Sequence, residues 1–150
     1  SVFELTPGTL KKIKEVVIEK NIQVIYFEIY YGYHNRLEEI KNYFQGVEIR
    51  FRMGLETFDN RFRIEKYNKN FSLNEKDFKA LSEKIYSVCL LVCTKGQTEE
   101  MIKKDIELGL KYFKNITVNI FINNGTSVER DENLVKWFIK NYKDLGVFEQ

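Results

Sequence analysis

Cysteine and histidine, which often build crosslinks and metal sites, are scarce in this chain, and so is proline. Its 150 residues include two cysteines, one histidine and one proline. Two cysteines are too few for a disulfide framework, so the sequence gives no reason to expect an oxidising compartment. His34 has no second histidine near it, which argues against a histidine-based metal site. We therefore predict no metal site built by this chain.

A strong charge imbalance and a long apolar run are also absent. The formal net charge is +2, from 24 basic and 22 acidic side chains, whereas nucleic-acid-binding proteins usually concentrate an excess of Lys and Arg. No apolar run approaches the ~18 residues of a membrane span, and the opening SVFELTPGT lacks the basic and apolar regions of a signal peptide. We expect a soluble, cytoplasmic protein that binds neither nucleic acid nor membranes.

The chain does contain enough apolar residues to build a core. Hydrophobic residues make up 43% and aromatic residues 15% of the sequence, which excludes a disordered chain. No Pro- or Gly-rich linker and no low-complexity tract divides it. Residues 1–150 are therefore predicted to form a single domain.

The clearest pattern lies in residues 47–56. Five apolar residues alternate there with polar residues and a glycine; the apolar set is Val47, Ile49, Phe51, Met53 and Leu55, and the other is Glu48, Arg50, Arg52, Gly54 and Glu56. A period of two predicts a strand with one apolar face and one charged face. Parallel sheets covered by helices are usually apolar on both faces, so the charged face should line a polar interior. Glu56 ends this strand, where parallel α/β folds bind their ligands.

Capping signals predict where the helices begin. Thr6 followed by Pro7 marks the start of a first helix, which should end near Lys20. Further N-cap signals predict later helices; they are Asn35 with Glu38, Ser72 with Glu75, and Thr98.

Apolar periodicity supplies the remaining elements. β-branched and aromatic runs predict strands at 22–28, 87–93 and 117–123. The helix after Thr98 is predicted to bury Leu110, and a last helix over 131–143 is predicted to bury Ile139. A helix followed by four strand-helix units predicts an α/β fold with a parallel four-stranded sheet, half of a partial TIM-type barrel.

Three segments of the chain resemble the second half of the radical S-adenosylmethionine (radical SAM) core, the partial α/β barrel of radical SAM enzymes. They are FRMGLETFDNRFR with the later YNK, SVCLLVCTKGQTEEM, and NIFINNGT, in the family's order. In that family, a glycine, a hydrophobic and a polar residue at a strand end lie near the ribose or methionyl end of the cofactor. The resemblance implies this role for Gly54, Leu55 and Glu56. A basic residue shortly downstream binds the cofactor carboxylate, and Lys69 occupies that position.

The resemblance implies further cofactor contacts from the neighbouring strands. Glu28 ends the first strand and resembles an acidic residue that some members direct into the same cup. Lys95 opens the turn KGQT, which is similar to a turn of related enzymes. Cys89 lies where some members have an acidic ribose ligand, and Asn123 ends the fourth strand. Because the carboxyl ends of parallel strands meet at one edge, we expect Glu28, Glu56 and Asn123 to converge there.

The three-cysteine motif that binds the family's [4Fe-4S] cluster is missing from this chain. Cys89 and Cys93 have one of its spacings, but on a strand they would lie about 13 Å apart, too far to share a cluster. The resemblance therefore implies the carboxyl-terminal part of a radical SAM enzyme, which binds S-adenosylmethionine (SAM) and an unidentified substrate. Its partner would be the missing amino-terminal half of the same protein, which would supply the cluster. The chain alone would be inactive.

Two other functions fit the same residues. Glu28 and Glu56 match the paired carboxylates of a barrel hydrolase such as a glycosidase. A non-catalytic half-barrel that serves as a binding or assembly module is the third interpretation. At the level of single residues, Glu56 could pair with Arg50 or Arg52 in a structural network, and Lys69 could be an ordinary helix-end lysine. A half-barrel also leaves strand edges uncovered, so self-association is expected.

Overall fold

A computed structural model describes residues 1–142 and the backbone of Phe148 and Glu149. Five parallel strands form one sheet in the order of the chain. The strands are β1 (Val24–Ile29), β2 (Glu48–Glu56), β3 (Ser87–Val92), β4 (Asn115–Ile120) and β5 (Phe148–Glu149). The helices are α1 (Pro7–Glu19), α2 (Leu37–Tyr43), α3 (Asn60–Tyr67), α4 (Glu75–Ser82), α5 (Glu99–Tyr112) and α6 (Glu132–Tyr142). Short 3₁₀ helices span Val2–Glu4 and Tyr31–Tyr33.

The strand order confirms the predicted fold class. Each helical connection returns the chain to the next position in the same direction, as in barrels of the TIM type. The sheet exceeds the predicted four strands by the short β5, which pairs with the end of β4. The predicted end of the last helix, Lys143, lies outside the described residues. None of the described helices is long and apolar enough to cross a membrane.

The two faces of β2 differ as the alternation predicts. Phe51, Met53 and Leu55 are at most 1% exposed and belong to the core that the sheet shares with the helices. Arg52 and Glu56, on the opposite face, are partly exposed. The helices therefore cover one face of the sheet, and the charged face borders an open polar cavity.

Two of the predicted helix starts are confirmed, and both capping boxes are wrong. Thr6 and Thr98 each accept a hydrogen bond from a backbone N–H in the first turn of their helices. The N-cap of α4 lies two residues after Ser72, at Asn74, which forms a capping box with Asp77.

The segment before α4 explains this shift. Arg63 donates to the carbonyl of Phe71, and the Asn60 side chain bonds both backbone groups of Leu73. These bonds fix residues 71–73 outside the helix, so it cannot begin at Ser72. In the case of α2, the 3₁₀ turn Tyr31–Tyr33 carries the chain past Asn35, and the N-cap is Arg36, without a side-chain cap bond.

Two residues predicted to face the core are exposed instead. Leu110 is 58% and Ile139 is 46% exposed. In each case the preceding position, Gly109 or Phe138, already lies against the core, and the next residue is about 100° further round a helix. The predictions that Leu110 and Ile139 are buried were therefore wrong, because each residue lies one position beyond the one that packs against the core.

Candidate functional site

The polar face of the sheet encloses a cavity at the carboxyl ends of β1 and β2. Its volume is about 410 Å³. Five residues singled out from the sequence line it together: Glu28, Gly54, Glu56, Lys69 and Cys89. The remaining lining residues are Ser1, Glu4, Ile29, Tyr30, Arg52 and Asn119. The structure thus brings together side chains from β1, β2, β3, β4 and the segment after α3.

A short ion pair between Glu56 and Lys69 forms one wall of the cavity. Lys69 Nζ lies 2.5 Å from Glu56 Oε1 and donates a second hydrogen bond, of 3.0 Å, to the carbonyl of Gly54. The two side chains are only 17% (Glu56) and 25% (Lys69) exposed. The partner of Glu56 is thus Lys69 and not Arg50 or Arg52.

The backbone on either side of α3 positions this pair. Glu56 has a φ of +67° next to a register shift between β2 and β3, and such irregularities often re-aim side chains beside functional sites. After α3, Asn68 has a φ of +52° and ends the helix in the left-handed region. This turn carries Lys69 back toward the end of β2.

Gly54 leaves the space that the ion pair occupies. A Cβ atom at this position would lie 3.0 Å from Lys69 Nζ and 3.2 Å from Glu56 Oε1. A larger residue would therefore push the two charged groups away from the strand. The sequence Gly-Leu-Glu at the end of β2 is what places a salt bridge directly against the backbone.

A second ion pair connects β1 to β2. Arg52 Nη2 donates to Glu28 Oε1 over 2.6 Å, and the two residues are neighbours in the strand register. Arg52 is 30% exposed and Glu28 is 67% exposed. Arg52 Nε is buried without a hydrogen-bond partner among the described residues. Glu28 therefore faces solvent across the cavity, while Arg52 forms part of its floor.

Cys89 and Asn119 form the opposite wall. The Asn119 Nδ2 group donates to Cys89 Sγ over 3.0 Å, and Asn119 Oδ1 is buried with no partner among the described residues. Burial, assisted by the nearby Glu56 charge, raises the pKa of Cys89 to about 11. Cys89 is therefore a neutral thiol at physiological pH.

Lys95 and Asn123 do not line this cavity. Lys95 is exposed and forms an ion pair with Glu129. Asn123 lies three residues after the end of β4, and its Oδ1 accepts a hydrogen bond of 2.9 Å from the backbone N–H of Arg130. The expected convergence holds for Glu28 and Glu56 but not for Asn123. The cofactor contacts proposed for Lys95 and Asn123 stay predictions.

Sequence reasoning gave no ligand role to two polar residues of the cavity, Arg52 and Asn119. Arg52 lies on the charged face of β2, which was predicted to line a polar interior, but it was considered only as a partner of Glu56. Asn119 lies four residues before Asn123, so strand alternation would place both side chains on one face. Strand β4 ends earlier than predicted, so the side-chain amide that reaches the cavity is that of Asn119.

A buried polar cluster behind the cavity ties β2 to the helices. Arg63 is fully buried and donates to the carbonyl of Thr57 and to the Asn60 side chain. Asp105, on α5, is 3% exposed and accepts a 2.7 Å hydrogen bond from the N–H of Phe58. Burial raises the pKa of Asp105 to about 6, although hydrogen bonds from Phe58 and Thr57 oppose the rise. This cluster fixes the loop that follows Glu56.

The cysteines do not form a metal centre with other residues of the described part. In residues 1–142, no three His, Cys, Asp or Glu side chains are grouped to hold a metal ion. Cys89 lines the cavity, whereas Cys93 is fully buried in the hydrophobic core. The two thiols thus lie in different environments.

A solved structure of similar fold is that of the queuine lyase from Clostridium spiroforme bound to SAM and queuine. The two proteins are 40% identical, the match covers 97% of this chain, and the TM-score is 0.90. The chain spans 62% of the length of that protein. Neither a protein-family model nor a curated protein matches the chain. The similarity to the lyase includes the elements that line the cavity. It also includes the elements that pack behind them.

Proposed function

We propose that the chain is a radical SAM-related domain and that its cavity binds SAM together with a base of the queuine type. The observation that carries the proposal is the Glu56–Lys69 pair on the cavity wall, in a chain 40% identical to a lyase bound to SAM and queuine. The parent protein would be a radical SAM enzyme, and this chain would be its carboxyl-terminal, ligand-binding part.

The residues of the cavity fit the amino-acid end of SAM. This end carries an ammonium and a carboxylate group, which complement the carboxylate of Glu56 and the ammonium of Lys69. Two buried atoms of the cavity, Asn119 Oδ1 and Arg52 Nε, have no partner among the described residues, and buried polar groups are normally hydrogen-bonded. A bound ligand would supply the missing partners. The volume, about 410 Å³, lies within the range of small-molecule sites.

Each residue has a definite task in this proposal. Lys69 holds the carboxylate of SAM and Glu56 holds its ammonium group or a ribose hydroxyl. Gly54 keeps the backbone close enough for both contacts. SAM supplies the radical chemistry when it is bound, and the protein orients the two ligands and keeps water away from them. Cys89 remains protonated beside them and adds no charge to the site.

The residues of this chain do not fit a [4Fe-4S] cluster. Only two cysteines are present, and Cys93 is enclosed in the hydrophobic core. We propose that the cluster ligands belong to another part of the parent protein.

The paired-carboxylate hydrolase receives no support from the cavity. General acid catalysis needs a protonated carboxyl group, whereas Glu28 and Glu56 each face a basic side chain. The non-catalytic module agrees with the missing cysteines, but it does not account for the two unpartnered polar atoms in the cavity.

Calorimetric titration with S-adenosylhomocysteine, a stable analogue with the same amino-acid end, tests the proposal. Glu56→Gln and Lys69→Met should each weaken binding about tenfold or more, because each removes a charged hydrogen-bond partner. The matched controls Glu65→Gln and Lys66→Met change exposed charges of α3 and should leave the affinity unchanged. Equal affinities in all five proteins would overturn the proposal.

A further inference from the structure

The geometry of the second ion pair points to a specificity device: we propose that Glu28 and Arg52 select a base by its guanine-type edge. Such an edge carries two adjacent N–H donors followed by a carbonyl acceptor. The inference rests on the proposed function, because it identifies the residues that recognise the base in that function. It concerns the β1 side of the cavity. The contacts proposed between SAM and Glu56 and Lys69 do not involve that side.

The two side chains present a complementary row of groups. Arg52 Nη2 lies 2.6 Å from Glu28 Oε1, so the carboxylate and the guanidinium are side by side. The row therefore consists of two carboxylate acceptors followed by guanidinium donors. Guanine and its 7-deaza derivatives, which include queuine, present the 2-amino group, the N1–H group and the O6 carbonyl in the matching order.

The exposure of the pair allows a ligand to bind without breaking it. Glu28 is 67% exposed, whereas Glu56 is 17% exposed and bonded to Lys69 through Oε1. The carboxylate of Glu28 can therefore accept additional hydrogen bonds while it retains Arg52. Charge-assisted bonds of this kind are stronger than bonds between neutral groups, which suits a residue that selects one base over another.

The spacing along β2 provides room for two ligands. Arg52 and Glu56 lie on the same face of the strand and are four residues apart, which corresponds to about 13 Å. The Glu56–Lys69 pair can thus hold the amino-acid end of one molecule while Arg52 and Glu28 hold the edge of another. Both pairs line the same cavity, so the two bound molecules would be neighbours.

An aromatic ring completes this half of the cavity. Tyr30 follows β1, lines the cavity and is 40% exposed. Its ring is held by edge-to-face contacts with Tyr33 and Phe71, with centroids 6.5 Å and 6.1 Å away. A planar base bound by Glu28 and Arg52 can stack on this ring, a contact that all bases can make. The selectivity must therefore come from the ion pair.

The pair should discriminate against adenine. The adenine edge has an acceptor nitrogen at N1, which would face a carboxylate oxygen of Glu28. Two acceptors opposite each other repel and cannot form the charge-assisted hydrogen bond that the N1–H group of guanine donates to this carboxylate. Guanine-type bases should therefore bind more tightly than adenine.

Titration of the chain with queuine, in the absence of SAM and its analogues, tests the inference. Queuine should bind at least about tenfold more tightly than adenine, and Glu28→Gln or Arg52→Lys should remove most of this preference. Glu48→Gln, which alters an ion pair on the same strand outside the cavity, is the matched control and should change nothing.

Titrations with S-adenosylhomocysteine separate this inference from the proposed function. We expect Glu28→Gln to keep the affinity for the analogue and Glu56→Gln to keep the affinity for queuine. Queuine binding that is absent, no tighter than adenine binding, or unchanged in Glu28→Gln would overturn the inference. A chain that selects queuine through Glu28 but does not bind S-adenosylhomocysteine would support it and contradict only the SAM site.

Discussion

At the scale of residues, the end of β2 determines what the cavity can hold. The alternation of β2 and the Gly-Leu-Glu sequence were sufficient to predict that Glu56 would face a polar interior. The pairing of Glu56 with Lys69 was harder to predict, because it depends on the left-handed turn at Asn68. Residue propensities specify local conformation. A contact between residues thirteen positions apart also depends on where the helix between them ends.

Gly54→Ala tests how closely the ion pair approaches the strand. The added methyl group would meet Lys69 Nζ at 3.0 Å and should displace the pair. We expect the affinity for S-adenosylhomocysteine to fall about tenfold, with little change in the melting temperature. Gly8→Ala is the control, since its nearest neighbour is a side-chain oxygen 3.9 Å away. Unchanged affinity in Gly54→Ala would show that the glycine is not required for the site.

Asp105 should make stability depend on pH. Burial raises its pKa to about 6 from the ordinary 3.8. Between these values the folded chain binds a proton that the unfolded chain has released, so this group's contribution to stability falls as the pH rises. The fall should amount to roughly 3 kcal/mol and should be complete above about pH 7.

Urea unfolding of the wild type and of Asp105→Asn measures this effect. The variant keeps an acceptor for the N–H of Phe58 but cannot titrate in this range. The free energy of unfolding of the wild type, relative to the variant, should decrease from about pH 4 to about pH 6. A difference that is constant or increases over this range would contradict the assigned pKa of Asp105.

At the scale of elements, strands were predicted more accurately than helix starts. The period of two identified β2 to within one residue, because a buried face requires strict alternation. The capping box at Ser72 failed because hydrogen bonds of Arg63 and Asn60 with Phe71 and Leu73 fix the chain before α4. The capping box at Asn35 failed because the 3₁₀ turn Tyr31–Tyr33 carries the chain past it. Such long-range contacts have no signature in a local sequence pattern.

Asn74→Ala and Ser72→Ala distinguish the observed cap from the predicted one. Asn74 Oδ1 accepts hydrogen bonds from two backbone N–H groups of α4, and its loss should cost about 1 kcal/mol. Ser72 is exposed and lies outside the helix, so its replacement should change stability by less than about 0.5 kcal/mol. Chemical denaturation of the two variants measures the difference, and equal losses would refute the assignment of Asn74 as the cap.

At the scale of the whole molecule, the sheet has an open edge at β1. In the described part of the chain β1 pairs only with β2, and beside it lies an apolar groove of about 440 Å³ between α1 and β1. Val16, in this groove, is 48% exposed. The half-barrel architecture predicted such an edge from the count of strand-helix units.

We predict that the isolated chain self-associates through this edge. Sedimentation velocity at increasing concentrations should show a growing dimer fraction, because exposed strand edges and apolar patches favour association. Val16→Glu should reduce the fraction by placing a charge in the groove. Leu110→Glu, an equally exposed position on α5, should not. A monomer at every concentration would contradict this prediction.

The most direct test of the SAM site is an NMR titration of the ¹⁵N-labelled chain with S-adenosylhomocysteine. Binding in the polar cavity should concentrate the amide shifts at Gly54, Glu56, Lys69 and Asn119, which line it. A second cavity of similar volume between α4 and α5, lined by Met101 and Leu108, provides an internal comparison. Shifts centred on Met101 and Leu108, or no shifts at all, would contradict the assignment of the SAM site.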